Sequence, residues 1–149
     1  MSNQNLSLTT TCLMVRVAKA HRGLVGAALK EMNLHIGQEK LLMELWKEDG
    51  LTQTELAERL RIEPPTLTKM LGRLEKTELL EKRKDADDAR ICRIFLTDKG
   101  YSLQEPFTKL WLDLEAIVLA NLSLEEQLLL RRLLMQIYDN LEVTKQSQS

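Results

Sequence analysis

Thr66, Thr68, Lys69, Arg73 and Lys76 lie close together in the sequence, and the chemistry such a set can perform is contact with a polyanion. Short hydroxyls approach phosphates and base edges closely, and Lys and Arg further along bond phosphate oxygens or guanine. Leu67, Met70, Leu71 and Leu74 interleave with them at helical spacing, so the two sets fall on different faces of one helix. Pro64 and Pro65 suit the first turn of that helix and no later position. A helix of this kind is narrow enough to enter the major groove of duplex DNA. Taken alone, Lys69, Arg73 and Lys76 read better as a solvated helix face; what lies beside them changes that.

The elements around them are legible from periodicity and caps. Residues 8–32 read as one long helix, broken at Asn33–Gly37, and Leu41, Leu42, Leu45 and Trp46 mark a second that stops at Asp49-Gly50. Thr52-Gln53-Thr54-Glu55 is a capping-box pattern that opens a short helix ending near Leu60. The cationic helix follows. Leu79–Lys84 and Ile91–Leu96 read as two strands, the second placing Cys92, Ile94 and Leu96 on one face, with a polar tip from Asp85 to Arg90. Thr97 caps one further helix carrying Leu103, Phe107, Trp111 and Val118. Ser123-Leu124-Glu125-Glu126 opens a last helix to about Glu142, and Val143–Ser149 is expected to fray. Two short helices, a tight turn and a two-stranded hairpin make a winged helix-turn-helix. The fold class expected is therefore mainly α with a small β-hairpin wing, a winged helix-turn-helix flanked by long N- and C-terminal helices. Arg90, at the wing tip, is placed to enter a minor groove.

Composition agrees with a modest, local interface. The net charge is −1, yet Arg61–Lys84 holds seven Lys or Arg against four acids, whereas from Tyr101 onward acids outnumber bases seven to four. The two cysteines stand far apart without a CxxC, which argues against a zinc finger or a disulfide framework. The polar start, Met1–Thr11, lacks the pattern of a signal peptide, and no apolar run approaches the roughly 20 residues of a membrane span. A cytoplasmic protein with no metal and no cofactor is expected. There is no phosphate-cradling Gly loop and no nucleophile with a base, so an enzyme is not expected. A winged helix used for protein contact would show apolar side chains where this one shows Thr, Lys and Arg.

The run LTQTELAERLRIEPPTLTKMLGRLEKTELLEKRKDADDARICRIFLTDKG, Leu51–Gly100, resembles the MarR (multiple antibiotic resistance regulator) family. The resemblance rests on Thr66-Leu67-Thr68 at the start of the recognition helix, Arg73-Leu74-Glu75 at its end, the wing signature Asp88-Ala89-Arg90, and Leu96-Thr97-Asp98-Lys99-Gly100 after the wing. It implies a single domain over residues 1–149, with a DNA-binding core at 36–100 and helical dimerisation regions at 6–33 and 101–143. It implies a triangular homodimer reading a palindromic double-stranded operator, and a wing Asp, here Asp88, that holds the wing Arg, here Arg90. The function expected is a sequence-specific DNA-binding transcription regulator, a homodimeric repressor released by a small-molecule or oxidative signal. Glu78 departs from the family, which usually has Gly there. A left-handed Glu costs roughly 1 kcal/mol, so the helix is expected to end differently, near Thr77.

Some relatives take small phenolic or other aromatic effectors between their dimer and DNA-binding parts, which makes His35 a candidate ligand residue. Peroxide-sensing relatives carry a reactive Cys near the start of the first helix, which makes Cys12 the redox candidate. His21, on the apolar stripe of the first helix, reads better as a packed interface histidine, and Cys92 as inert core.

Overall fold

The computed structural model describes residues 5–148; residues 1–4 and 149, the ends of the expected 1–149 domain, the start of its polar N-terminus and the last residue of its tail, lie outside them. A 3-10 turn, Leu6–Leu8, precedes α1 (Thr10–Glu31) and α2 (Gln38–Lys47). A two-residue strand, β1 (Leu51–Thr52), leads into α3 (Gln53–Leu60) and α4 (Pro64–Lys76). The hairpin β2 (Leu80–Lys84) and β3 (Cys92–Leu96) follows, then α5 (Asp98–Ser102), α6 (Gln104–Val118) and α7 (Leu124–Ser147). The chain forms two compact units, one up to Leu112 and one from Asp113.

The caps read from sequence set the helix starts. The Thr52 hydroxyl accepts the Glu55 N–H at 3.2 Å, and the Glu55 carboxylate accepts the Thr52 N–H at 2.7 Å. Ser123 and Glu126 repeat the arrangement at the start of α7, and the Thr97 hydroxyl accepts the Gly100 N–H. The first unit buries a leucine-rich core. Leu29, Leu41, Leu45, Leu56, Leu67, Leu71, Leu74 and Ile94 are all essentially inaccessible, so α1 to α4 and β3 share one apolar interior. Met70, expected beside Leu67 and Leu71, is only half-buried.

Four sequence expectations are corrected. The wing sheet has three antiparallel strands in the order β1-β3-β2, not two, with Leu51 opposite Ile94 and Leu80 opposite Leu96. A two-residue strand is too short to show alternation. It forms because Gly50, at φ +75°, turns the chain and donates its N–H to the Ile94 carbonyl at 3.0 Å. Cys92 is exposed, not core: it pairs with Lys84 at the far end of the hairpin, where the strands have left the apolar body. The helix after the wing is two pieces. Pro106 has no N–H for the Ser102 carbonyl, and its ring crowds that carbonyl, which separates α5 from α6. The tail expected to fray from Val143 is helical to Ser147.

Glu78 provides a further correction. α4 does end at Thr77, yet Glu78 adopts the left-handed conformation, φ +60°. Its N–H bonds the Glu75 carbonyl at 2.9 Å and the Leu79 N–H bonds the Leu74 carbonyl at 3.0 Å, a complete Schellman cap with Leu74 and Leu79 buried beneath it. Tertiary packing holds the conformation that local preference opposes. Two stability changes of opposite sign are expected in urea melts at fixed protein concentration. Glu78→Gly gains about 0.5–1 kcal/mol by relieving the left-handed residue. Gly100→Ala loses several kcal/mol, about the range of severe core mutants, because its Cβ would stand 2.1 Å from the Leu79 carbonyl oxygen. Destabilisation by Glu78→Gly, or a neutral Gly100→Ala, contradicts this account.

Candidate nucleic-acid interface

With Leu67, Leu71 and Leu74 turned inward, α4 presents Thr66, Thr68, Lys69, Arg73 and Lys76 outward, all exposed. Lys69, Arg73 and Lys76 make no ion pair or hydrogen bond among the described residues. Several cations around the wing and α3 are paired instead. Arg59 pairs with Glu48 and Glu44, Lys82 with Glu75 at 3.1 Å, Arg83 with Glu81, and Arg93 with Asp85. The Thr68 hydroxyl donates to the Pro64 carbonyl at 3.0 Å, which leaves it an acceptor and a methyl group to offer. Lys99 closes the other end of α4, its ammonium donating to the Thr77 carbonyl at 2.8 Å, where a cation complements the helix terminus.

The wing tip is a network of charge-assisted bonds. Arg90 grips Asp88 with both arms of its guanidinium, Nε to Oδ1 at 3.0 Å and Nη2 to Oδ2 at 3.1 Å, and its backbone N–H also donates to Oδ1. The Arg90 side chain is nevertheless 90% exposed, so the carboxylate aims the guanidinium without covering it. Asp85, four residues before Ala89 and unremarked in the sequence, organises the other side. It accepts the N–H groups of Asp87 and Asp88 at 3.1 and 3.0 Å and the Nε–H of Arg93. Arg93 donates onward to the Gly50 carbonyl at 3.0 Å, tying the wing to the turn before β1. Asp49 completes the base, accepting the Leu96 N–H at 2.9 Å and the Tyr101 hydroxyl. Asp49, Asp85 and Arg93 carried no motif; the only hint was the D-x-x-D spacing of Asp85 and Asp88, and the ties of Asp49 and Arg93 across the base span more than 40 residues.

Two open apolar grooves flank these elements. One, about 430 Å³, runs between α3 and α4 past Ala57, Ile62, Pro64 and Thr68. The other, about 280 Å³, is lined by Met43, Trp46, Phe107, Trp111 and Leu112. There Phe107 sits 5.1 Å from Trp46 and 5.5 Å from Trp111, and Trp46 Nε1 donates to the Gly100 carbonyl at 3.0 Å. Neither groove is lined by His35 or Cys12. His35 is exposed with its backbone N–H on the Gln38 side chain, His21 is exposed on α1, and Cys12 is half-buried in the first turn of α1.

A three-stranded wing behind a helix-turn-helix whose second helix carries free cations defines a winged helix-turn-helix protein. The model of the MarR family matches residues 34–92. Among curated relatives, the transcriptional regulator TtmR of Methylorubrum extorquens is 38% identical over 58% of this chain and 42% of its own length. AdcR of Streptococcus pneumoniae is 36% identical over 62% of this chain and 63% of its own. The chain thus spans less than two thirds of either relative's length. The solved structure of the S. aureus MepR–DNA complex is 27% identical, with a TM-score of 0.77 covering 92% of this chain and 99% of that one. Residues 34–92 thus match the MarR family model, and the fold matches that of the solved MarR and MepR structures.

The wing network sets a pH dependence. The Arg93 guanidinium, first, and the backbone N–H groups of Asp88 and Asp87 hold the Asp85 carboxyl below its ordinary range; Arg90, through side chain and then backbone, does the same for Asp88. A carboxyl with a lowered folded-state pKa adds stability that is present above its unfolded value and is lost as pH falls through the folded one. Wing order is therefore expected to be complete at neutral pH and to be lost only below about pH 4, the ordinary carboxylate value. A carboxyl-detected NMR titration of Asp85 should show a midpoint below that value, and Arg93→Ala should move it upward. A midpoint indifferent to Arg93 sinks the assignment.

Proposed function

We propose that this chain is a sequence-specific double-stranded DNA-binding transcription regulator, a homodimeric repressor on a palindromic operator, released by a small-molecule or oxidative signal. The observation that carries the reading is the row Lys69, Arg73 and Lys76, without carboxylate partners on the outward face of α4, beside a wing whose tip presents the exposed guanidinium of Arg90. Cations held free on one face of a recognition helix suit phosphates and guanine edges. In this reading Thr66 and Thr68 approach bases or phosphates, and Arg90, aimed by Asp88, enters the adjacent minor groove.

The dimer is supported by apolar surface that the single chain leaves open. Leu13, Val15 and Val17 of α1 are exposed, as are Leu128, Leu129, Leu133, Leu134 and Leu141 of α7. Apolar area on this scale is covered in a stable protein, and a symmetric second copy presents the same surface in return. Two copies of α4 then read two half-sites. The aromatic faces of Trp46, Phe107 and Trp111 support a small aromatic or phenolic effector; His35 and Cys12 remain the alternatives for ligand and oxidant. Any effector must bind one dimer geometry better than the other to release DNA. A protein acting on DNA in this way works in the cytoplasm.

The test is fluorescence anisotropy with duplex DNA from the protein's own upstream region and a scrambled duplex, at two salt concentrations. Affinity should fall steeply with salt through counterion release. Arg73→Ala should weaken the native duplex by about 1–3 kcal/mol and alter base preference, while Lys76→Ala should weaken all duplexes evenly and lower the salt slope by about one. Binding untouched by Arg73→Ala and Arg90→Ala together would count decisively against the interface. Light scattering of the free protein should give twice the monomer mass.

A further inference from the structure

Recognition helices ordinarily begin with free backbone N–H groups that hold a phosphate. α4 has none. Pro64 and Pro65, its first two residues, lack the N–H altogether. The next two amides are already bonded: Thr66 N–H and Leu67 N–H both donate to the Glu63 carbonyl, at 3.0 and 3.1 Å. At this same point the chain places a carboxylate. Glu63 is the N-cap residue, it is exposed, and its side chain neither caps the helix nor makes any ion pair or hydrogen bond among the described residues. An end whose helical residues offer no free amide and which carries a free negative charge disfavours phosphate. What a carboxylate accepts from in the major groove is an exocyclic amine, N4 of cytosine or N6 of adenine, and both guanine O6/N7 and thymine O4 are acceptors that it opposes.

Resting on the DNA-binding reading above, we propose that Glu63 is a specificity-determining residue of this protein: it reads an amino-bearing base, cytosine or adenine, at one position of each half-site. The two ends of α4 then divide the work. Lys69, Arg73 and Lys76 anchor its middle and C-terminal turns on phosphate and guanine, and at the proline-capped end the carboxylate addresses a base beside the Thr66 hydroxyl. Glu63 contributes little to total affinity, because the bond it gains is offset by its repulsion from nearby phosphates; its effect is on which sequence is chosen.

The experiment is selection from a duplex library with a randomised core, using the full-length protein and its Glu63→Gln and Glu63→Ala variants, with sequencing of the enriched duplexes. Anisotropy on the enriched wild-type duplex and its single-base variants follows. Wild type should enrich cytosine or adenine at one position per half-site, and the base enriched tells the two amines apart. Glu63→Ala should lower discrimination there at least about fivefold, the lower end for one base contact, and leave the rest of the motif intact. Glu63→Gln should keep or strengthen adenine, whose N6 and N7 an amide pairs with together, and weaken cytosine, which loses a charged acceptor for a neutral one. A uniform gain in affinity for every duplex, with the motif unchanged in both variants, overturns the proposal and makes Glu63 a mere phosphate repellent. A wild-type protein that enriches no motif overturns the DNA-binding reading itself. Matching thermal melts of the three proteins confirm that the variants are folded, which their exposed, unbonded position predicts.

Discussion

The geometry of the interface depends on one close approach, between Gly100 and the carbonyl of Leu79. A Cβ at residue 100 would lie 2.1 Å from that oxygen, so only glycine permits it. Around this contact, the end of α4, the start of β2, the end of β3 and the start of α5 are bonded into one knot. Thr97 donates its N–H to the Leu79 carbonyl at 3.1 Å and its hydroxyl to the Glu78 carbonyl at 2.6 Å, Lys99 caps the Thr77 carbonyl, and Gly100 in turn accepts the Trp46 indole N–H. The run Leu96-Thr97-Asp98-Lys99-Gly100 is thereby explained residue by residue. The left-handed Glu78 is the local cost of this arrangement, since α4 must end sharply for β2 to leave in the direction the knot requires.

From that knot the wing inherits its position and α4 its rigidity. Arg93 and Asp49 add a second tie, joining β3 to the turn at Gly50, and Phe95 packs against Gly50 so closely that a Cβ there would stand 2.9 Å from the ring. The tip beyond is stiffened by Asp85 and Asp88, each satisfied by an arginine and by backbone N–H groups. A guanidinium held this way loses less freedom on meeting a phosphate or a groove than one on a free side chain. The architecture therefore separates two kinds of cation. Some are spent on internal order, as Arg93 is, and others are left to solvent, as Arg73 is.

Sequence reading reached the parts of this design that are local. Helical periodicity located α4 and its two faces, the capping boxes at Thr52 and Ser123 located two helix starts, and the D-x-R and L-T-x-x-G runs located the wing and its exit. It failed where the determining partner is distant. β1 is two residues long and exists because of Ile94; Cys92 alternates correctly with Ile94 and Leu96, yet the strand outruns the core before reaching it. Glu78 was expected to avoid φ > 0 because its own preference opposes it, and the Schellman cap that adopts it is braced by the Thr97 hydroxyl, 19 residues on. Asp85 and Arg93 are two more charges in a polar hairpin until the fold brings them together, 8 residues apart.

The neutral overall charge also follows from this division. A net charge of −1 provides no long-range attraction to nucleic acid, so on the proposed reading affinity comes from local cations such as those of α4 and the wing tip. Electrostatic contact of that kind is sequence-blind and grows with each phosphate neutralised. Pairing Arg59, Lys82, Arg83 and Arg93 with carboxylates would limit the sequence-blind part of such binding. The share of the binding free energy that depends on base identity rises as the sequence-blind share falls. A regulator that must find a few sites among many competitors depends on that ratio rather than on affinity alone. On the proposed reading the two prolines and the free carboxylate at the start of α4 extend the same logic, removing amide donors from the end of the helix that would lie nearest the bases.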